Sequence, residues 1–458
     1  MPYVGLVTRA LGLAAVLTSL LVAAPAAEAA RAPCVPGKKK PKCKVWTAKV
    51  KYVADGDTLR PQVKTPGGKY TKKGAVTVRM LGLQAPELSH YTRVGKGRRG
   101  NCLGPQAANT LDKLIKGKFR LVALRGSSVT QGKRVRLRRA LQVRKGGRWV
   151  DPAVTLLEKG LALWFPNGNE WPWNKGYFKA TEKAQKRGAG LFNPTACGKP
   201  GPSQDAKLRM KIRWDGEGTD KPGGEWIRIH NESSKEVSLK GWNLRDSHLR
   251  GRKLKSGYRF PKNAKIPANG AIRVVVGKGK NDANTFHWGE PHTIFDNVSG
   301  DKKWLGDGAY LFDPNSELRA WQMYPCKKTC SEPYNGDINL AVTNNGSTDE
   351  WVTLTNRGSD TINLYEYEIE NQPFYFEFPR GSFLRPGSSA VLFVHKKPGG
   401  VFPGRGPFRG VVSFYEWGKP GGRGLFSSTA DLVVLRNPNG APVKGACKAW
   451  GRFRCPNF

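Results

Sequence analysis

Histidine is scarce in this chain: six in 458 residues, and between residues 31 and 200 only His90. That stretch cannot build a two-histidine ribonuclease site or a histidine-rich metal centre. Acidic residues are also few. There are 35 Asp+Glu against 77 Lys+Arg, a formal net charge of +42. Residues 31–200 hold 38 basic and 8 acidic residues (net +30), whereas 201–458 hold 38 and 26 (net +12). So few carboxylates argue against a multi-carboxylate two-metal site, which needs about three or four clustered acids. No Cys-x-x-Cys pair occurs and no histidine lies near a cysteine, which argues against structural zinc. Beyond the first thirty residues no apolar run reaches the roughly eighteen residues of a membrane span.

What is present points to polyanions. A soluble chain this basic is expected to meet nucleic acid, anionic membrane or acidic wall polymer. Aromatics make up 10% of the chain, so it is expected to pack real cores, about three domains' worth at this length. Residues 1–30 read as a signal peptide: Arg9, an apolar run from Ala10 to Ala24, then Ala27-Glu28-Ala29. A secreted, extracellular protein is expected, with no integral membrane association, and as a monomer. Eight cysteines fit an oxidising compartment. Cys34 and Cys43 bound a short basic segment (31–43) and are expected to pair, as are Cys102 and Cys197. Cys326, Cys330, Cys447 and Cys455 leave three connectivities open. Oxidised cysteines also argue against a cysteine nucleophile.

Residues 44–198 read as strands followed by helices. Period-two stretches fall at Trp46 to Val53, Val76 to Leu81, Phe119 to Leu124 and Arg136 to Val143. Helices are expected from Pro105, from Pro152 to Gly160 and from Lys179 to Arg187. A linker (199–205) leads to an internal repeat. Glu225, Trp226, Ile227, Ile229, Asn231, Val237, Leu239, Trp242 and Leu244 recur 125 residues later as Glu350, Trp351, Val352, Leu354, Asn356, Ile362, Leu364, Tyr367 and Ile369. Period-two patterning and frequent turn signals predict two β-sandwiches, 206–326 and 336–447, joined by 327–335 and followed by a basic tail, 448–458. Arg245-Asp246, after the tryptophan strand of the first copy, has no counterpart in the second, which reads Glu370-Asn371.

The inventory of 31–200 leaves a site with few carboxylates, one hard cation and arginines on phosphate. Asp55-Gly56-Asp57-Thr58-Leu59, Val78-Arg79-Met80-Leu81-Gly82-Leu83, Ala85-Pro86-Glu87-Leu88, Gly104-Pro105-Gln106-Ala107 and Leu137-Arg138-Arg139-Ala140-Leu141-Gln142-Val143 resemble, in that order, the staphylococcal nuclease (thermonuclease) family. The resemblance implies an OB-fold β-barrel with three helices and calcium-dependent cleavage of DNA or RNA. It places Asp57 on the metal with Asp55 supporting it, Arg79 and Arg138 on the phosphate, and Glu87 as general base. Where the family has an aspartate and a threonine before Pro86-Glu87, this chain has Gln84 and Ala85. Gln84 offers the cation a neutral oxygen only, so weak metal binding is expected and another divalent metal is allowed. Arg134, Arg136 and Arg138 share one strand face, Lys133 and Arg139 extend the positive edge, and Trp171 and Trp173 are read as exposed stacking partners for bases. The two sandwiches resemble lamin-tail domains, immunoglobulin-like folds without catalytic residues, which implies binding or tethering, to DNA or to an anionic cell-surface polymer. The chain is therefore expected to be mainly β and multidomain, a secreted calcium-assisted nuclease. Two other readings stay open: a nucleic-acid-binding protein whose nuclease fold has lost catalysis, and a cell-wall protein whose charge serves anionic polymers.

Overall fold

The computed structural model describes residues 30–64, 73–88, 101–126, 128–131, 134–197, 205–214, 224–248, 257–296, 306–324, 337–344, 350–371, 374–395, 411–417, 425–426, 429, 431–438 and 442–455. Residues 1–29 of the expected signal peptide, the part up to Gly100 of the Gly-rich basic loop expected from Gly95 to Gly104, Lys133, Cys326 and Cys330 lie outside them.

The N-terminal unit is a closed five-stranded barrel. Lys42–Val53 pairs antiparallel with Lys118–Ala123, which pairs antiparallel with Arg134–Lys145. Arg134–Lys145 runs parallel to Val78–Met80, Val78–Met80 pairs with Thr58–Val63, and Thr58–Val63 closes the ring onto Lys42–Val53 across a bulge between Val50 and Tyr52. Alternation drives this. Val45, Leu59, Val63, Val78, Met80, Leu121, Leu141 and Val143 are buried together with Trp46. The Cys-bounded segment is part of the barrel: Arg31–Pro33 pairs with Lys42–Val53, and Gln142 Nε2 donates to the Pro33 and Cys34 carbonyls at 3.0 and 3.1 Å.

Three helices lie against the barrel. Helix α1, Gly104–Leu114, carries Pro105 in its first turn and buries Ala107, Ala108 and Leu111. Helix α2, Pro152–Glu158, is capped by Asp151, whose carboxylate accepts the Ala153 N–H at 2.9 Å. Helix α3, Asn174–Lys186, begins five residues before the expected Lys179. Asn174 closes the preceding loop by exchanging hydrogen bonds with Asn167, and Tyr177 and Phe178 then fill the core.

The two sandwiches share one plan. In the first, Leu208–Arg213, Trp226–Asn231, Ala271–Val275 and Thr285–His287 form one sheet, and Tyr258–Arg259, Asn243–Asp246, Asp307–Phe312 and Leu318–Tyr324 the other. The second repeats the order with Ile338–Asn344, Glu350–Asn356, Ser389–Phe393 and Val411–Glu416, against Phe374–Glu377, Glu368–Asn371, Asp431–Arg436 and Pro442–Trp450. Each keeps one parallel pairing, Ala271–Val275 with Thr285–His287 and Ser389–Phe393 with Val411–Glu416.

The repeated polar residues are clamps. Glu225 accepts the Ile294 and Phe295 N–H groups as Glu350 accepts those of Leu425 and Phe426. Asn231 and Asn356 each donate to carbonyls of two loops and accept from the residue two places on. These buried groups are satisfied, which is a folding role.

The units dock. Tyr310, Phe312, Leu318 and Met323 of the first sandwich belong to the barrel's apolar cluster. Phe192 meets Trp321 edge-on at 5.0 Å, and Arg319, held by Asp313, donates to the Pro194 carbonyl at 2.8 Å.

Candidate active site

The site forms where three strands and one loop meet. In the turn Asp55-Gly56-Asp57-Thr58 the helix α1 backbone closes in tightly. A Cβ on Gly56 would lie 2.5 Å from Ala107 Cβ and 2.7 Å from Ala85 Cβ, so only glycine fits. Asp57, 1% exposed, then points inward. Its Oδ1 accepts from Arg79 Nη1 at 2.7 Å and Thr58 Oγ1 at 2.8 Å, and its Oδ2 from the Ala85 N–H at 2.8 Å. The backbone at position 85 thus supports the site whatever the side chain. Arg79 also donates to Gln84 Oε1, so one guanidinium spans Asp57 and Gln84.

Across the sheet Thr58, Arg79 and Arg138 are register neighbours. Arg138 is half-buried, its guanidinium 5.4 Å from the centre of the Phe165 ring. Burial, then the charges of Arg79 and Arg136, hold its pKa below the usual arginine value, so an anion there would relieve two repulsions. Asp55 accepts the Asp57 N–H at 3.0 Å. Burial, the Asp57 charge and Glu87 together push its carboxyl up to about 7. Glu87 is exposed at the rim, with the Asn101 N–H on its carbonyl at 3.0 Å. Asp55, Asp57 and Gln84 supply hard oxygen donors, the donor type that suits a cation such as calcium, with Arg79 already paired to Asp57 and Gln84.

Five expected residues, Asp55, Asp57, Arg79, Gln84 and Arg138, therefore come together, with Glu87 beside them. Arg136 is half-buried next to Arg138, and Arg134 lies on the same strand. Two expectations are corrected. Trp173 is 1% exposed, because the turn Trp171–Trp173 rotates it into the core beneath helix α3; only Trp171 keeps partial exposure. Arg139 does not extend the outer basic edge. It faces inward, fully buried over Trp46 at 5.2 Å, and burial lowers its pKa to about 10. Of the three connectivities, the described residues contain Cys447–Cys455, beside Cys34–Cys43 and Cys102–Cys197 as expected.

Phe165 is one of the aromatics, with Trp164, Trp171 and Trp173, that the sequence sets beside the basic groove, but its place under Arg138 was not legible; Glu170, which accepts the Leu124, Arg125 and Gly126 N–H groups and fixes the neighbouring loop, was missed. Sequence reasoning also missed the buried pair Asp151–Tyr177, 2.6 Å between oxygens, where burial pushes the Asp151 carboxyl up to about 7. Asp before Pro at a helix start was the available signal for Asp151; Glu170 carried none. A second basic surface lies further along the same strand. Arg120 and Arg144 bracket Trp149 at 3.8 and 4.7 Å, beside a cleft of about 420 Å³ lined also by Arg148.

Residues 211–325 and 334–446 match the Lamin Tail Domain family model. The chain carries two lamin tail domains. No curated protein matches the chain, and no nuclease family model matches it. The lamin tail domains support a binding or tethering role. The first lamin tail domain reaches the candidate site: His248 packs on Phe165 with ring centres 4.6 Å apart. Its Nε2 lies 3.1 Å from the Pro166 carbonyl oxygen.

Proposed function

We propose that the barrel hydrolyses phosphodiester bonds of DNA or RNA with help from a divalent cation, and that the lamin tail domains hold it to DNA or to an anionic cell surface. One observation carries this reading: Arg79 and Arg138 stand side by side across the parallel strand pair, beside Asp55 and Asp57, with Glu87 at the rim. Two guanidinium forks a strand apart suit the non-bridging oxygens of one phosphate, and their charge stabilises the pentavalent transition state. Glu87, exposed at the rim, accepts the proton of the attacking water. Asp57, Asp55 and the Gln84 oxygen would hold the cation, calcium by the resemblance, which when bound polarises a phosphate oxygen. Arg79 already neutralises Asp57, so the cation is held weakly. The disulfides are consistent with an extracellular protein. Among the described residues no helix is long and apolar enough to cross a membrane.

A second reading is favoured by the same Arg79 contact. With Arg79 spanning Asp57 and Gln84, the barrel binds nucleic acid without cutting it. Purified full-length protein incubated with plasmid and with RNA, in calcium or in EDTA, separates the two. Cleavage in calcium that stops in EDTA supports the nuclease; retention of both nucleic acids uncut in calcium supports the binder.

A further inference from the structure

The Cys-bounded basic segment takes no part in the candidate active site, yet the fold builds it into a cleft of its own. Gln142 Nε2 clamps the segment to the barrel by donating to the Pro33 and Cys34 carbonyls at 3.0 and 3.1 Å, and the disulfide Cys34–Cys43 closes the loop. Ala32, Pro33, Pro36 and Gly37 then form one wall of the cleft of about 420 Å³. The chain continues from that wall into Lys38, Lys39 and Lys40, all exposed. The volume lies within the range of ligand pockets, roughly 300–1,000 Å³.

The opposite wall is cationic. Arg120 stands opposite Gln142 in the sheet and Arg144 opposite Trp149, so antiparallel pairing puts these four side chains on one face. A two-residue turn, Gly146 at φ 54 and Gly147 at φ 74, joins the strands Arg134–Lys145 and Arg148–Val150 and sets Arg148 and Trp149 beside Arg144. Arg144 braces the turn by donating to the Gly147 carbonyl. The guanidinium carbons of Arg120 and Arg144 lie 3.8 and 4.7 Å from the centre of the Trp149 ring.

Stacking on an indole uses the face of a guanidinium and leaves its in-plane N–H groups for an acceptor. Trp149 thus orients two forks without consuming their donors. Among the described residues that line the cleft none is acidic. Burial, then the Arg144 charge, lowers the Arg120 pKa, so like charges are held together here and an anion between them would relieve the repulsion. Planar forks with several donors match phosphate oxygens.

We infer that this cleft is a second phosphate site, and that its ligand is the backbone of a nucleic acid. Arg144 lies about 20 Å along the strand from Arg138, roughly six phosphates on one strand of a duplex at about 3.4 Å each. A duplex lying along Arg134–Lys145 therefore reaches both. The choice of nucleic acid over another phosphate polymer rests on the reading of Arg79 and Arg138 as a phosphate site; the cleft's affinity for phosphate does not. The cleft adds affinity and register and takes no part in bond cleavage.

The test is fluorescence anisotropy of the full chain with a labelled duplex of about 16 base pairs, long enough to pass both sites. EDTA is present, so that no strand is cut. Salt is varied for wild type, Arg144→Gln/Arg148→Gln, Arg138→Gln and Lys179→Gln/Lys186→Gln, the last removing two exposed charges from helix α3. Arg144 and Arg148 are exposed, so their replacement keeps the fold, as circular dichroism checks. We expect the cleft variant, Arg144→Gln/Arg148→Gln, to bind about tenfold more weakly, with the slope of log affinity against log salt smaller by about two. The helix α3 variant stays close to wild type. A cleft variant that binds like wild type, or no more weakly than the helix α3 variant, overturns the site. A weakened cleft variant beside an unchanged Arg138→Gln supports the cleft and counts against Arg138 as a phosphate ligand. Inorganic polyphosphate that binds wild type more tightly than the duplex does, and loses that affinity in the cleft variant, overturns the choice of nucleic acid.

Discussion

Arg79 and Arg138, the pair proposed to hold phosphate, are held differently in the barrel, and their substitutions should differ accordingly. Arg79 is ion-paired to the buried Asp57 at 2.7 Å. Arg138 rests on Phe165 and is opposed by like charges. Arg79→Ala leaves a buried carboxylate without its counter-ion, a loss of roughly 3 kcal/mol, and lowers the melting temperature of the barrel. Arg138→Ala removes a repulsion and should leave stability unchanged or slightly raised. Thermal unfolding followed by tryptophan fluorescence reads this directly; equal destabilisation by the two variants would contradict the assigned contacts.

At the scale of the element, the strand Arg134–Lys145 organises the basic surface. Arg138 and Arg144 have the same parity on it, six residues or about 20 Å apart, and Arg144 joins Arg120 around Trp149. If nucleic acid follows this face, each arginine releases counterions on binding. Arg120→Ala and Arg144→Ala should each reduce the slope of log affinity against log salt by about one, without selecting a sequence. An unchanged slope would take the bound strand off this face. Much of this element was legible beforehand: period-two alternation located the strands, and the 125-residue offset located both sandwiches. Single-position orientation was harder. Arg139 reads as one more surface charge until the barrel turns it inward with Leu141 and Val143. Trp173 sits between Pro172 and Asn174, loop-like composition that conceals a helical turn.

At the scale of the whole molecule, the lamin tail domains meet through charge. Arg209, Lys211, Arg213, Arg228 and His230 of the first face Glu366, Glu368 and Glu377 of the second. No local pattern announces this interface, since Lys211 and Glu366 read as ordinary surface charges and are 2% and 0% exposed. Glu366 has φ 68, in the turn where the first copy has Gly241 at φ 81, 125 residues earlier. A non-glycine residue there costs about 1 kcal/mol, which the pairs with Arg209 and His230, both at 2.8 Å, offset. Burial raises the Glu366 pKa, but the His230 hydrogen bond and the His230 and Arg209 charges outweigh it and hold it at about 2. A lowered folded-state pKa contributes stability above the unfolded value near 4.5 and loses it as pH falls toward about 2. Small-angle scattering should therefore show the domains separating across that window, and Glu366→Gln should separate them at neutral pH; a radius of gyration constant in both cases would contradict the interface. The central claim remains the phosphate site, and one measurement addresses it most directly. Single-turnover cleavage and equilibrium binding of one RNA are measured in calcium for wild type and Arg138→Ala. The account predicts that cleavage falls about 10²-fold while binding falls only a few-fold. No cleavage by wild type, with both proteins binding the RNA, would contradict it.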